Sequence, residues 1–113
     1  MRDLAPSIHR QRLVMEGLCL EPISATDICS YLSTLSECIG MVKLMDPVTH
    51  RSPLYGWAGW IHWETSGAHF YAWDFPGPFF SVDVYACKPF VALDAVELTR
   101  ATFASTTIEY REY

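Results

Sequence analysis

Residues 79–87 read "FFSVDVYAC", and from Phe80 onward the apolar and polar positions alternate strictly. Successive side chains of a β-strand point to opposite faces, so this run predicts a strand with one apolar and one mixed face. The apolar face would carry Phe80, Val82, Val84 and Ala86. The other face would carry Ser81, Asp83, Tyr85 and Cys87. A second layer must cover the apolar face, which already favours a layered fold.

Two segments have apolar residues at helical spacing and would supply that layer. Residues 25–39 follow Ser24, which with Asp27 forms an aspartate version of the capping box, and the pattern ends at Gly40. Residues 91–103 repeat apolar side chains at the same spacing. Both segments are predicted to be helices.

The other predicted strands are residues 10–20, 41–45, 57–64, 68–73 and 106–113. We expect loops at 46–56, which holds two prolines, and at 74–78, "DFPGP". The order is β-α-β-β-β-β-α-β, without repeats or low-complexity segments. It predicts an α+β two-layer sandwich, with a mainly antiparallel sheet and both helices on one face.

The chain has 113 residues, of which 50% are hydrophobic, enough for the core of one domain covering 1–113. Residues 1–9 are expected to form a flexible tail. The net charge of −5 and the lack of a basic run argue against nucleic acid or an anionic membrane as partner, and favour a small, cationic substrate. No apolar run is long enough for a membrane span and no signal peptide is recognisable, so a cytoplasmic location is expected.

The four cysteines include no C-x-x-C pair and no histidine at ligand spacing, so no metal site is predicted and free thiols are expected. The predicted strands carry more aromatic residues than one helix layer can cover. This favours either a homodimer or a ligand cleft on the uncovered side. The aromatic residues are Trp57, Trp60, Trp63, Trp73, Tyr71 and Tyr85.

Ser66 and Gly67 stand between two of the predicted strands, in "WETSGAHFYAW". Taken alone, the pair is typical of a turn, because glycine tolerates positive φ and serine bonds its own backbone. A wider comparison gives the serine a second interpretation. Residues 56–73, "GWAGWIHWETSGAHFYAW", resemble the pyruvoyl-forming region of the small bacterial and archaeal S-adenosylmethionine decarboxylases, G-V-S-G-V-V-V-x-x-E-S-H-L-S-I-H-T-W.

The resemblance extends to both sides of this region. With one extra loop residue, "SVDVYAC" is similar to the family's A-V-D-V-F-T-C, so that Cys87 takes the place of the catalytic cysteine. Upstream, "RLVMEG" resembles the family's H-L-V-x-E. The resemblance covers about residues 10 to 113, and the expected order of helices and strands agrees with it.

The resemblance implies a lyase that makes its own cofactor. Ser66 would attack the Thr65 carbonyl to form an ester, the ester would eliminate, and the chain would split between Thr65 and Ser66 to leave a pyruvoyl group where the serine stood. That group would form a Schiff base with the amine of S-adenosylmethionine and act as electron sink for loss of CO2. Cys87 would return a proton to the α-carbon. The family also implies a homodimer and a role in polyamine (spermidine) synthesis.

Three positions depart from the family pattern. Thr65 replaces a glutamate, although Glu64 is adjacent; Tyr71 replaces a histidine that assists processing; and Ala58 replaces a processing serine. A tyrosine, with an ordinary pKa of about 10, is a weak base at neutral pH. His69 lies on the same face of the strand as Tyr71 and is a second candidate for that role.

Substrate contacts are predicted for five further residues. The carboxylate of Glu16 suits a sulfonium cation, that of Asp74 suits ribose hydroxyls, and Glu64 is a third carboxylate candidate. The rings of Phe70 and Trp73 suit adenine or the sulfonium. The alternatives are solvated charges and core aromatics.

Three hypotheses follow for the whole chain. The first is the decarboxylase, for which arginine or ornithine are alternative substrates because each presents an amine. The second is an unprocessed relative that binds S-adenosylmethionine or another amino acid for different chemistry. The third is a non-catalytic regulatory or binding subunit.

Overall fold

The computed structural model describes residues 1–113, and its elements follow the predicted order. They are β1 (Gln11–Leu18), α1 (Ala25–Cys38), β2 (Val48–Ser52), β3 (Gly56–His62), β4 (Ser66–Trp73), β5 (Phe79–Ala86), α2 (Ala92–Thr102) and β6 (Thr107–Glu112).

The six strands form one sheet in the order β2-β3-β4-β5-β1-β6, and every neighbouring pair is antiparallel. Strands β2 to β5 follow one another as a meander, whereas β1 lies between β5 and β6. Both helices cover one face of this sheet and pack against each other, which confirms the predicted α+β sandwich.

One hydrophobic core fills the space between the sheet and the helices. The alternation in β5 is confirmed, because Phe80, Val82 and Val84 have no exposed surface. They join a single cluster of 20 buried residues that also includes Leu13 from β1 and Leu32 from α1. Burying a side chain of this size contributes about 1.5 to 3 kcal/mol, so this face determines the strand register.

The opposite face of the sheet has no second layer, and we call it the open face. It carries the side chains that alternate with the core positions, among them Arg12, Trp60, His69, Tyr71 and Tyr85, all of which are partly or largely exposed. The candidate site lies on this face.

Helix α1 begins as the sequence predicts. The Ser24 hydroxyl accepts a hydrogen bond from the Asp27 N–H, and the Asp27 carboxylate accepts one from the Ser24 N–H, which completes the capping box. The helix ends at Cys38, and Gly40 follows with a φ of 72°. A left-handed conformation after a helix favours glycine, because glycine has no Cβ.

The predicted strand 41–45 is wrong. Within this segment only Lys43 forms a bridge, with Trp63, while β2 lies at Val48–Ser52 inside the predicted loop. Pro47 and Pro53 stand just outside the two ends of β2, so neither removes a hydrogen bond from the strand. Because β2 is an edge strand paired only with β3, its sequence can remain short and polar.

Neither helix is long and apolar enough to cross a membrane.

Candidate functional site

The connection between β3 and β4 is a tight turn with Glu64 and Thr65 at its corners. The N–H of Trp63 donates to the carbonyl of Ser66 at 2.7 Å, and the N–H of Ser66 donates to the carbonyl of Trp63 at 3.4 Å. Ser66 is therefore the first residue of β4 and not a corner of the turn. It is 6% exposed.

Two hydrogen bonds involve the residues on either side of the peptide bond between Thr65 and Ser66. The backbone N–H of Cys87 donates to the carbonyl oxygen of Thr65 at 3.0 Å. The hydroxyls of Thr65 and Ser66 lie 2.9 Å apart and share a hydrogen bond. A donor aimed at a carbonyl oxygen stabilises the negative charge that develops there under nucleophilic attack.

Cys87 reaches this carbonyl because of the register between β4 and β5. Ser66 is paired with Ala86, so the residue after Ala86 lies beside the turn. Cys87 is exposed, and its thiol is free, as are those of the other three cysteines. The register between β4 and β5 thus places Cys87, the residue that was matched to a catalytic cysteine, beside the Thr65–Ser66 peptide.

A cavity of about 890 Å³ lies over this turn on the open face. Five of the predicted site residues line it: Glu64, Thr65, Ser66, His69 and Cys87. Gly67 contributes to its floor, where a Cβ would stand 3.1 Å from the carbonyl oxygen of Ile61. The absence of a side chain at this position keeps the cavity open next to Ser66.

Two rows of paired residues across the strands form the walls. In the first row Tyr85 is paired with Arg12 on one side and with Gly67 on the other, and Gly67 is paired with His62. In the second row His69 is paired with Asp83 and with Trp60. Trp60 and Tyr85 were predicted only as aromatic surface for a dimer or a ligand cleft, and Arg12, His62 and Asp83 were not predicted as site residues. The alternation in β5 already places Asp83 and Tyr85 on the face of Cys87, whereas Arg12, His62 and Trp60 join them only through the register between strands.

The charged groups of the cavity include a paired arginine. Arg12 donates from Nε and Nη2 to the two carboxylate oxygens of Asp83, at 2.9 and 2.6 Å. This hydrogen bonding, and then the charge of Asp83, raises the pKa of Arg12 above its usual value. With Arg12 neutralised by Asp83, Glu64 leaves an excess of negative charge that suits a cationic ligand.

Tyr71 lies on the open face but outside this cavity. Its ring is stacked on that of His69, with 6.2 Å between the centroids and 12° between the planes. Its partner across the strands is Ala58, which has no hydroxyl. His69 is therefore the only one of the two candidate bases that lines the cavity with Ser66.

Trp73 and Asp74 lie at the other end of β4. Trp73 contacts Tyr55 with ring centroids 4.5 Å apart, and Asp74 is 3.9 Å from Arg51. At about 3.3 Å per strand residue, roughly 23 Å of strand separates Trp73 from Ser66. Neither residue lines the cavity.

Glu16 and Phe70 also lie outside the cavity, for different reasons. Glu16 is on the open face of β1 but lies four residues, roughly 13 Å of strand, from the cavity residue Arg12. It is paired with Ser81 and with Glu109 of β6. Phe70 has no exposed surface and packs against Tyr31 and Phe80 in the core. The prediction that Phe70 stacks on a ligand is wrong, because its position in β4 turns it to the helix-covered face.

No group of three or more His, Cys, Asp and Glu side chains is arranged to hold a metal ion.

Comparison with known proteins gives a match at the level of structure. The solved structure of the adenosylmethionine decarboxylase from Aquifex aeolicus VF5 superposes with a TM-score of 0.77 at 15% sequence identity, covering 94% of this chain and 89% of that chain. No protein-family model matches, and no curated protein matches. At this identity the likeness shows that the two chains share a fold.

Proposed function

We propose that the chain is a cytoplasmic lyase that removes CO2 from S-adenosylmethionine after cleaving itself between Thr65 and Ser66. The product would be the aminopropyl donor for polyamine synthesis. The observation that carries the proposal is the hydrogen bond from the Cys87 N–H to the Thr65 carbonyl, beside the Ser66 hydroxyl and under a cavity of substrate size.

The residues around this peptide fit the self-cleavage. Attack by the Ser66 hydroxyl on the Thr65 carbonyl carbon puts negative charge on the oxygen that the Cys87 N–H already contacts. Thr65 holds the attacking hydroxyl through the side-chain hydrogen bond between the two residues. His69, which lines the same cavity, is our candidate for the base that takes the proton of Ser66.

The ester formed by this attack would lose the Thr65 carboxylate by β-elimination, and hydrolysis of the dehydroalanine left at position 66 would release ammonia and leave a pyruvoyl group. That group would supply the electron sink for decarboxylation. It would stand on the floor of the cavity, next to Gly67. Cys87, exposed and at the edge of the same cavity, is the candidate proton donor to the α-carbon. Glu64 would attract the sulfonium cation, Asp83 would offset the charge of Arg12, and Trp60 and Tyr85 offer aromatic surface.

The proposal includes a homodimer. The open face exposes Trp60, Tyr71 and Tyr85, at 36%, 44% and 49%, and no element of the chain covers them. In one chain, Trp73 and Asp74 are too distant from Ser66 to contact the same substrate molecule. Their predicted part in substrate binding therefore requires a second copy.

One observation favours the second hypothesis, an unprocessed relative that binds S-adenosylmethionine or another amino acid for other chemistry. Tyr71 and Ala58, the replacements of two processing residues, face each other outside the cavity, so neither position supplies a hydroxyl or an imidazole to the cavity beside Ser66. A regulatory subunit without turnover is the third outcome of the same test.

The test is the intact mass of freshly purified protein under denaturing conditions, before and after incubation at neutral pH, with Ser66→Ala as control. Two fragments divided between Thr65 and Ser66, the second beginning with a pyruvoyl group, are expected. A single chain of 12.9 kDa in both samples would refute the self-cleavage. Binding of S-adenosylmethionine to that chain, with or without turnover, would then separate the second hypothesis from the third.

A further inference from the structure

The turn that carries Thr65 is attached to helix α1 by a buried hydrogen bond. The indole Nε1 of Trp63 donates to the hydroxyl of Ser36 at 2.7 Å, and that hydroxyl donates to the carbonyl of Leu32 at 2.7 Å. Trp63 and Ser36 are both 0% exposed. A buried donor or acceptor without a partner is costly, so this chain of bonds fixes the indole relative to α1.

The segment after α1 holds the turn on its outer side. Lys43 bridges to Trp63, and the N–H of Glu64 donates to the carbonyl of Val42 at 2.9 Å. The start of this segment is fixed to the helix as well, since the N–H of Met41 donates to the carbonyl of Ser36 at 2.8 Å. Ser36 therefore contacts the turn through its side chain and the adjoining segment through its backbone.

The Cys87 side of the site contacts the residues that follow α1. Lys88 donates from Nζ to the carbonyl of Gly40 at 2.6 Å in an exposed hydrogen bond. The end of α1 and the residues just after it thus contact both segments that meet at the hydrogen bond between Cys87 and Thr65.

We propose that Ser36 is a positioning residue, which acts through Trp63 to keep the Thr65 carbonyl on the N–H of Cys87. Its consequence for self-cleavage rests on the proposed function, whereas the positioning itself is a property of the intact chain. Reactive groups displaced by a fraction of an ångström lose rate steeply, so a loosened turn would slow attack by Ser66.

The test is amide hydrogen exchange in a Ser66→Ala background, in which the chain stays whole whether or not the native protein cleaves. Ser36→Ala removes the acceptor of the indole, and Trp63→Phe removes the donor while leaving Ser36 bonded to Leu32. Tyr31→Phe is the matched control, since it removes another buried hydrogen bond of α1, to Thr99 at 2.7 Å on the α2 side.

Exchange of the Cys87 and Glu64 amides is expected to be about ten-fold faster in Ser36→Ala and Trp63→Phe than in the control, compared at equal global stability. Unchanged exchange at both amides would overturn the proposal. In the chain with Ser66, the two variants should also slow fragment formation about ten-fold, while Tyr31→Phe does not. If that chain never cleaves, the proposed function fails and the exchange result still decides the role of Ser36.

Discussion

Arg12 and Asp83 form a two-point ion pair across the neighbouring strands β1 and β5 on the wall of the cavity. Both side chains remain partly exposed, at 48% and 33%. Water and salt screen such a pair, so it contributes little to the stability of the fold. Its effect is on the electrostatic potential of the cavity, where Asp83 offsets the charge of Arg12.

Asp83→Asn is expected to weaken binding of S-adenosylmethionine about ten-fold, because it leaves Arg12 unneutralised beside a cationic ligand. Isothermal titration calorimetry in the Ser66→Ala background measures this without any reaction at position 66. Asp46→Asn makes the same change in net charge at an exposed loop residue outside the cavity and should bind as the parent does. Equal affinities of both variants would contradict the prediction.

Thr65→Val is expected to slow self-cleavage about five-fold, since valine keeps the shape of threonine but cannot hold the Ser66 hydroxyl, a bond worth about 1 kcal/mol. Thr65→Ser keeps a hydroxyl at the position and should retain most of the rate. The measurement is the time course of fragment formation by mass spectrometry. A Thr65→Val chain that cleaves at the parental rate would remove Thr65 from the mechanism.

Phe70→Ala is expected to lower the free energy of unfolding by about 3 to 5 kcal/mol, as large-to-small changes in a closed core do. Tyr71→Ala, the adjacent residue on the open face and 44% exposed, should change it by less than about 1 kcal/mol. Urea denaturation of both variants measures the difference. Similar losses for the two would contradict the assignment of Phe70 to the core.

These two residues illustrate how far the sequence determines the structure. The period of two in β4 already separates Phe70 from His69 and Tyr71, and the same rule in β5 correctly assigned both faces. The capping box likewise located the start of α1, because its signal is local. The predicted ligand contact of Phe70 rested on the chemistry of its ring alone, without the face rule, and so put Phe70 on the wrong side.

The remaining features depend on pairing between distant strands. The bond from Cys87 to Thr65 exists because Ser66 is paired with Ala86, and no local pattern specifies that register. Arg12 enters the cavity only because β1 lies between β5 and β6. The strand Val48–Ser52 was missed for the same reason, since its pairing with β3 and not its propensity makes it a strand.

Tyr31 makes the fold sensitive to alkaline pH. Burial raises the pKa of its phenol above the ordinary value, and the hydrogen bond with Thr99 only partly opposes this. In the unfolded chain a tyrosine titrates near pH 10, so above that pH the folded state binds more protons than the unfolded state. The free energy of unfolding therefore falls as the pH rises: the contribution of Tyr31 is fully present below about pH 10 and is lost above it.

Urea denaturation at pH values from 8 to 11 is expected to give a steeper loss of stability for the native chain than for Tyr31→Phe, by up to about 1.4 kcal/mol per pH unit for one proton. Burial also raises the pKa of the Cys19 and Cys38 thiols. The effect of Cys19 is common to both chains and cancels, whereas the charge of Cys38 adds to the rise in the pKa of Tyr31 and so belongs to the measured difference. Tyr110→Phe is the control, because this residue is 49% exposed on the edge strand β6, and it should follow the native curve. Parallel curves for the native chain and Tyr31→Phe would contradict the prediction, because they would mean that the phenol of Tyr31 ionises as readily in the folded as in the unfolded state. The contacts of its ring with Phe70 and Phe103 in the core argue against that outcome.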